Sequence, residues 1–147
     1  MKQALLNIAA ICAGETDMIA NMATISCELF HADDRMDWVG FYRNMGDNTL
    51  KIGPYQGGHG CLSIPFSKGV CGAAARLRQT QLVADVDAFS DHIACSSDTR
   101  SEIVLPVFDK NDGLIGVLDI DSNQLDAFNS NDQIALESML REVFATA

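Results

Sequence analysis

Two apolar runs in the C-terminal third constrain this chain more than any other feature. Glu102-Ile103-Val104-Leu105-Pro106-Val107-Phe108 and Leu114-Ile115-Gly116-Val117-Leu118-Asp119-Ile120-Asp121 flank the pair Asp112-Gly113. That pair suits a tight turn, and β-branched residues on both sides favour extended backbone, so the segment reads as an antiparallel hairpin. A hairpin alone is marginal and needs more strands and a covering layer of helices. Upstream, Asp37-Trp38-Val39-Gly40-Phe41-Tyr42 has period two, with Trp38 and Tyr42 on one face and Val39 and Phe41 on the other. A turn over 44–48 leads to a returning strand, Thr49–Ile52, and shorter strands are expected at Cys61–Ile64 and Gln81–Val83.

Helical periodicity supplies the covering layers. Leu5, Ile8 and Cys12 mark a first helix that stops at Gly14. Met18, Met22, Ile25 and Leu29 form one apolar stripe on a second, from Thr16 to about His31. The small residues Gly69-Val70-Cys71-Gly72-Ala73-Ala74-Ala75-Arg76 predict a short helix packed close to a sheet. Ser130 and Gln133 suggest a capping box for a last helix that buries Leu136, Met139, Leu140 and Val143. The expected fold is α+β on an antiparallel sheet, within a single domain spanning 1–147. Residues 84–101 remain a long polar connection, and a loop of that length in a compact domain is usually functional or disordered.

Charge narrows the partners. The formal net charge is −10 with a pI near 4.4, which repels nucleic acid and anionic membrane surfaces alike. No apolar run is long enough to span a bilayer. The apolar N-terminal segment imitates a signal peptide, but Asn7 interrupts it and an amphipathic helix follows, so a cytoplasmic location is expected.

Five cysteines are many for 147 residues, and the odd number argues against a secreted disulfide framework. Cys12 and Cys27 lie within helices and read as core or helix residues. Cys61, Cys71 and Cys95 occupy loops or element ends. Cys71 follows Gly69-Val70 at a helix N-terminus, where the dipole lowers a thiol pKa. Cys95 sits mid-loop in Asp91-His92-Ile93-Ala94-Cys95-Ser96-Ser97, where a core role is hard to argue. His59-x-Cys61 and His92-x-x-Cys95 are conceivable metal ligands, but no CxxC pair or HExxH helix accompanies them, so no metal or other cofactor is assigned. No nucleophile elbow supports a serine triad.

Asp119 and Asp121 lie two apart on an otherwise apolar strand, hence on one face, and Glu102 opens the neighbouring strand. Two readings stand. Either these are solvated turn residues, or they form an acidic pocket wall that binds an ammonium group and keeps one carboxyl protonated. Trp38 and Tyr42 are either core or the aromatic side of that pocket.

Taken together, Trp38-Val39-Gly40-Phe41-Tyr42, Lys68-Gly69-Val70-Cys71-Gly72, His92-Ile93-Ala94-Cys95, Ser101-Glu102-Ile103-Val104-Leu105-Pro106 and Ile115-Gly116-Val117-Leu118-Asp119-Ile120-Asp121-Ser122 resemble the GAF-domain free methionine-(R)-sulfoxide reductases. The resemblance implies a GAF-like six-stranded antiparallel sheet flanked by helices, and usually a homodimer. It implies Cys95 as nucleophile, Cys61 as its disulfide partner and Cys71 as an auxiliary thiol. It places Trp38, Tyr42, Glu102, Asp119 and Asp121 around free methionine sulfoxide, with thioredoxin or a similar dithiol as reductant. This chain departs from the family in having Ser96 where Asp often follows the nucleophile, and in its flexible Gly57-Gly58-His59-Gly60 loop. That loop has the freedom to carry Cys61 toward Cys95, which favours Cys61 over the helix-bound Cys71 as the resolving thiol. The competing classes are a stand-alone GAF module that senses a small molecule and a thiol redox sensor without turnover.

Overall fold

A computed structural model describes all residues 1–147. In chain order it contains α1 (Lys2–Ile11), α2 (Met18–Ala32), β1 (Trp38–Asn44), β2 (Thr49–Gln56), β3 (Ser63–Pro65), α3 (Gly69–Leu77), β4 (Gln81–Val83), a 3-10 turn (Val86–Ala88), β5 (Ser101–Phe108), β6 (Leu114–Ser122) and α4 (Ser130–Val143). The six strands form one sheet in the order β3-β2-β1-β6-β5-β4, and every neighbouring pair is antiparallel.

Alternation along the strands divides the interior in two. Val39, Phe41, Ile103, Leu105, Val107, Leu118 and Ile120 face α1, α2 and α4 and meet Ile8, Met22, Ile25, Leu29, Leu136 and Phe144. The opposite face carries Trp38, Tyr42, Val104 and Val117, which pack with Val70, Cys71, Ala74 and Ala75 of α3. The alanines bring α3 close to the sheet. At its start, a Cβ on Gly72 would lie 2.7 Å from the Pro65 carbonyl oxygen, so only glycine fits that corner.

Several element ends differ from expectation for local reasons. Asp17 caps α2 by accepting the Ala20 N–H at 2.9 Å, so the helix starts at Met18, which is 42% exposed and off the buried stripe. The capping box of α4 is Asn129 with Asp132, one residue before the expected Ser130 and Gln133. Both pairs have the three-residue spacing, and Asp132 prevails because its carboxylate also receives Arg35 Nη1 at 2.8 Å. Arg35 bonds Asp33 as well, which joins the end of α2 to the start of α4. β1 and β2 run to Asn44 and Gln56, further than expected, because the two strands stay paired out to Val39–Gln56. β3 begins at Ser63 and leaves Cys61 outside regular structure.

Candidate active site

The antiparallel register sets the site. Trp38 pairs with Asp121, and Asp121 with Glu102. Gly40 pairs with Asp119. Pairing therefore lines up one aromatic residue and three carboxylates on the α3 face. They are not solvated turn residues: Asp119 is 5% and Glu102 6% exposed, and β6 continues to Ser122.

The aromatic side of the site depends on a missing side chain. Trp38 stacks between Tyr42 (centroids 5.9 Å apart) and Tyr55 (5.3 Å), and its indole N–H donates to the Gly58 carbonyl at 2.8 Å. A Cβ on Gly40 would lie 2.5 Å from the Trp38 ring. Gly40→Ala is therefore expected to destabilise the protein by about 2 kcal/mol and to tilt the indole. A thermal melt within a degree or two of the parent would show that the ring accommodates the methyl.

The long loop is anchored. Val86 N–H donates to Arg100 O, and Arg100 N–H to Ser122 O. Gly69 has φ +73° and donates its N–H to Asp91 O at 2.9 Å. A Cβ there would come within 3.2 Å of Ile93, so the glycine lets the segment before Cys95 seat on the start of α3. His92 Nε2 then lies 3.9 Å from Glu102 Oε2. Cys95 and Cys61 form a disulfide with Cα atoms 5.3 Å apart. Cys12, Cys27 and Cys71 are free. With the bridge formed, neither Cys61 nor Cys95 offers a thiolate to the metal pairs considered with His59 and His92.

Below the disulfide is an inner chamber of about 30 Å³, lined by Cys71, His92, Cys95, Glu102, Asp119 and Asp121 among others. It adjoins an outer bowl of about 230 Å³ bounded by Trp38, Tyr42, His59, Cys95, Asp119 and Asp121. All eight residues singled out from the sequence line these two spaces or, for Cys61, bridge to their rim. Sequence reasoning missed Tyr55 and Gly40, and considered His92 only as a metal ligand. Gly40 had a signal, since a glycine inside a strand often marks close approach by a neighbour.

Burial, then the charges of Asp119 and Asp121, pushes the Glu102 carboxyl well above its usual range. Asp121 is raised well above its range by burial and by Asp119. Burial also raises Asp119, although hydrogen bonds from Glu102, Asp121 and Cys71 pull the other way. One Asp119 oxygen, Oδ1, is buried without a donor. The expected acidity of Cys71 is reversed. Burial and the neighbouring carboxylates Asp119, Glu102 and Asp121 push its thiol well above the ordinary value. The helix N-terminus does not offset a desolvated, anionic setting.

These shifts have a consequence for stability. Carboxyls raised in the fold hold protons that the unfolded chain releases above about pH 4. Their contribution is thus fully present at low pH and is lost as pH rises through the raised values. Asp33 is lowered, chiefly by its hydrogen bond from Arg35, so its contribution fails only below the usual carboxylate range. The melting temperature of the oxidised protein is expected to fall as pH rises above the usual carboxylate range, and Asp121→Asn should flatten that slope. A rising profile, or an unchanged slope in the variant, would contradict the shared-proton cluster.

A family model described as GAF domain matches residues 12–143. The free methionine-R-sulfoxide reductase of Escherichia coli K12 is 43% identical over 140 residues, covering 93% of this chain and 84% of the relative. That of Saccharomyces cerevisiae is 36% identical over 147 residues, covering 96% and 82%. The structure of the Neisseria meningitidis free methionine-R-sulfoxide reductase in complex with its substrate superposes with a TM-score of 0.90 at 42% identity, covering 97% of this chain and 84% of the other. By fold, by identity over most of its length and by match to the family model, this chain belongs to the GAF domain family, in the group of the free methionine-R-sulfoxide reductases.

Proposed function

We propose that this protein reduces free L-methionine-(R)-sulfoxide to L-methionine, with Cys95 as nucleophile. The carrying observation is the Cys61–Cys95 disulfide at the rim of a chamber walled by three carboxyl groups. The Cys95 thiolate attacks the sulfoxide sulfur while a protonated carboxyl supplies the proton that makes the oxygen a leaving group. The hydroxyl then passes to the Cys95 sulfur as the new sulfur–sulfur bond breaks, which leaves Cys95 as a sulfenic acid and releases methionine with its sulfur reduced by two electrons. The Cys61 thiol displaces hydroxide from that sulfenic acid, giving the disulfide and water. A thioredoxin-type dithiol then reduces the disulfide by exchange and is itself oxidised.

The remaining carboxylate charge suits the substrate's ammonium group, whose N–H donors match the unpartnered Asp119 oxygen. Trp38 and Tyr42 offer an apolar wall to the thioether chain. The bowl's volume of about 230 Å³ is below the ~300–1,000 Å³ of drug-sized pockets, which suits a small free amino acid. No helix is long and apolar enough to cross a membrane, and an odd count of five cysteines fits a thiol-reducing compartment, the cytoplasm, where a dithiol reductant is at hand. Leu6, Ile11 and Ile19 are more than half exposed on the first two helices, apolar surface that a second copy in a homodimer would cover.

The test is turnover of free L-methionine-(R)-sulfoxide with a dithiol reductant, beside a peptide containing the same residue. Turnover of the free amino acid alone is expected, and none with either substrate would leave the sensing readings. Glu102→Gln, Asp119→Asn and Asp121→Asn sort the carboxyl roles at nearly constant volume. The variant lacking the proton donor should lose kcat by roughly 10²-fold or more, and one that only holds the ammonium should mainly raise KM. Kinetics within a few-fold of the parent for all three would exclude the wall from catalysis.

A further inference from the structure

The inner chamber holds a donor set that the reduction of a sulfoxide does not fully use. Cys71 Sγ and one carboxylate oxygen each of Glu102 and Asp119 lie within 4.8 Å of one another. All three side chains are buried, at 4%, 6% and 5% exposure. Asp119 Oδ1 is buried with no donor. The chamber they bound, about 30 Å³, has room for one or two water molecules or a single ion. We propose that this chamber is an inhibitory Zn²⁺ site, with Cys71, Glu102 and Asp119 as ligands, where the ion competes with the substrate's ammonium group.

The chemistry selects the ion. Sulfur with two carboxylate oxygens is a donor set for Zn²⁺, leaving the fourth tetrahedral position to water. Zinc bonds of ~2.0–2.3 Å put ligand atoms roughly 3.5 Å apart, so side-chain rotations of about an ångström close the site. Mg²⁺ and Ca²⁺ require six or more oxygen ligands, Mg²⁺ sheds its waters reluctantly, and a sulfur donor suits neither ion. An ion reaches the chamber through the outer bowl, which shares Cys95, Ser96, Thr99, Asp119 and Asp121 with it. A dication also supplies the counter-charge that clustered buried carboxylates lack.

Binding stands independently of the proposed activity, and only the competition arm rests on it. The protein is used in its oxidised form, so that the Cys61 and Cys95 sulfurs are occupied. It carries Cys27→Ser, because exposed Cys27 lies 3.8 Å from His31 Nδ1 and is a rival zinc pair. Titration with Co²⁺ as a spectroscopic stand-in should give a near-ultraviolet thiolate-to-metal band that Zn²⁺ bleaches at one equivalent. Mg²⁺ and Ca²⁺ in roughly thousand-fold excess should not bleach it. Adding Cys71→Ser should abolish the band, and adding Asp119→Asn instead should weaken Zn²⁺ binding at least tenfold. Methionine should displace the metal, and Zn²⁺ should raise the KM for methionine sulfoxide without lowering kcat. No band in the Cys27→Ser protein, or a band that survives Cys71→Ser, overturns the site. Metal binding at Cys71 without any turnover of methionine sulfoxide would instead overturn the activity and leave the site standing.

Discussion

Cys95→Ser is expected to reduce turnover of free L-methionine-(R)-sulfoxide by roughly 10³-fold or more, with any reductant. A serine hydroxyl is almost wholly un-ionised near neutral pH and is a poor nucleophile at sulfur, so neither attack nor sulfenic acid formation survives. The fold should persist, because Cys95 sits in a loop outside regular structure. The variant does lose the bridge, which closes a separation of 34 residues, and the chain-entropy contribution of such a loop is about 4 kcal/mol. Stability is therefore compared with the parent under reducing conditions, where the melts should coincide. Substantial turnover by a folded Cys95→Ser protein would remove Cys95 from its role.

Cys61→Ser separates the first half of the cycle from the second. The nucleophile is intact, so a single turnover should still release about one methionine per subunit. Steady-state cycling with a thioredoxin-type dithiol should fall by roughly 10²-fold or more, because no nearby thiol resolves the sulfenic acid efficiently. Cys71 is the rival, and the site argues against it. It is fixed in α3, buried, and held in its thiol form by burial and by Asp119, Glu102 and Asp121. Slow residual cycling through Cys71 is the most it should supply. Peptide mapping of the parent after oxidation by substrate should recover a Cys61–Cys95 bridge, and a dominant Cys71–Cys95 bridge would exchange the two assignments.

The sequence carried much of this architecture, since period-two and period-3.6 patterns report directly on which face of an element is buried. The Trp38–Tyr42 alternation, the Leu136, Met139, Leu140 and Val143 stripe and the Asp112-Gly113 hairpin are all present in the fold. Errors fell where several residues compete for the same local task. Asn129 and Asp132 took the cap from Ser130 and Gln133 through a contact with Arg35, nearly a hundred residues away in sequence. The expectation for Cys71 failed for a related reason. A helix N-terminus is visible in a sequence, but the three carboxyls brought against it from β5 and β6 are not.

What the sequence determined by itself was the alphabet of the site: a cysteine in a polar loop, two aspartates two positions apart on one face of a strand, and two aromatic residues sharing a strand face four positions apart. Local spacing is enough for these, because side chains alternate across a strand with a fixed period. Only the tertiary structure decided that they form one place. Register between β1, β6 and β5 aligned Trp38 with Asp121 and Glu102. The positive φ of Gly69 and its bond to Asp91 seated the Cys95 loop over them. Burial then raised the proton affinity of three ordinary acids, because the free energy of a charge depends on the surroundings that the whole fold supplies and not on its neighbours in sequence.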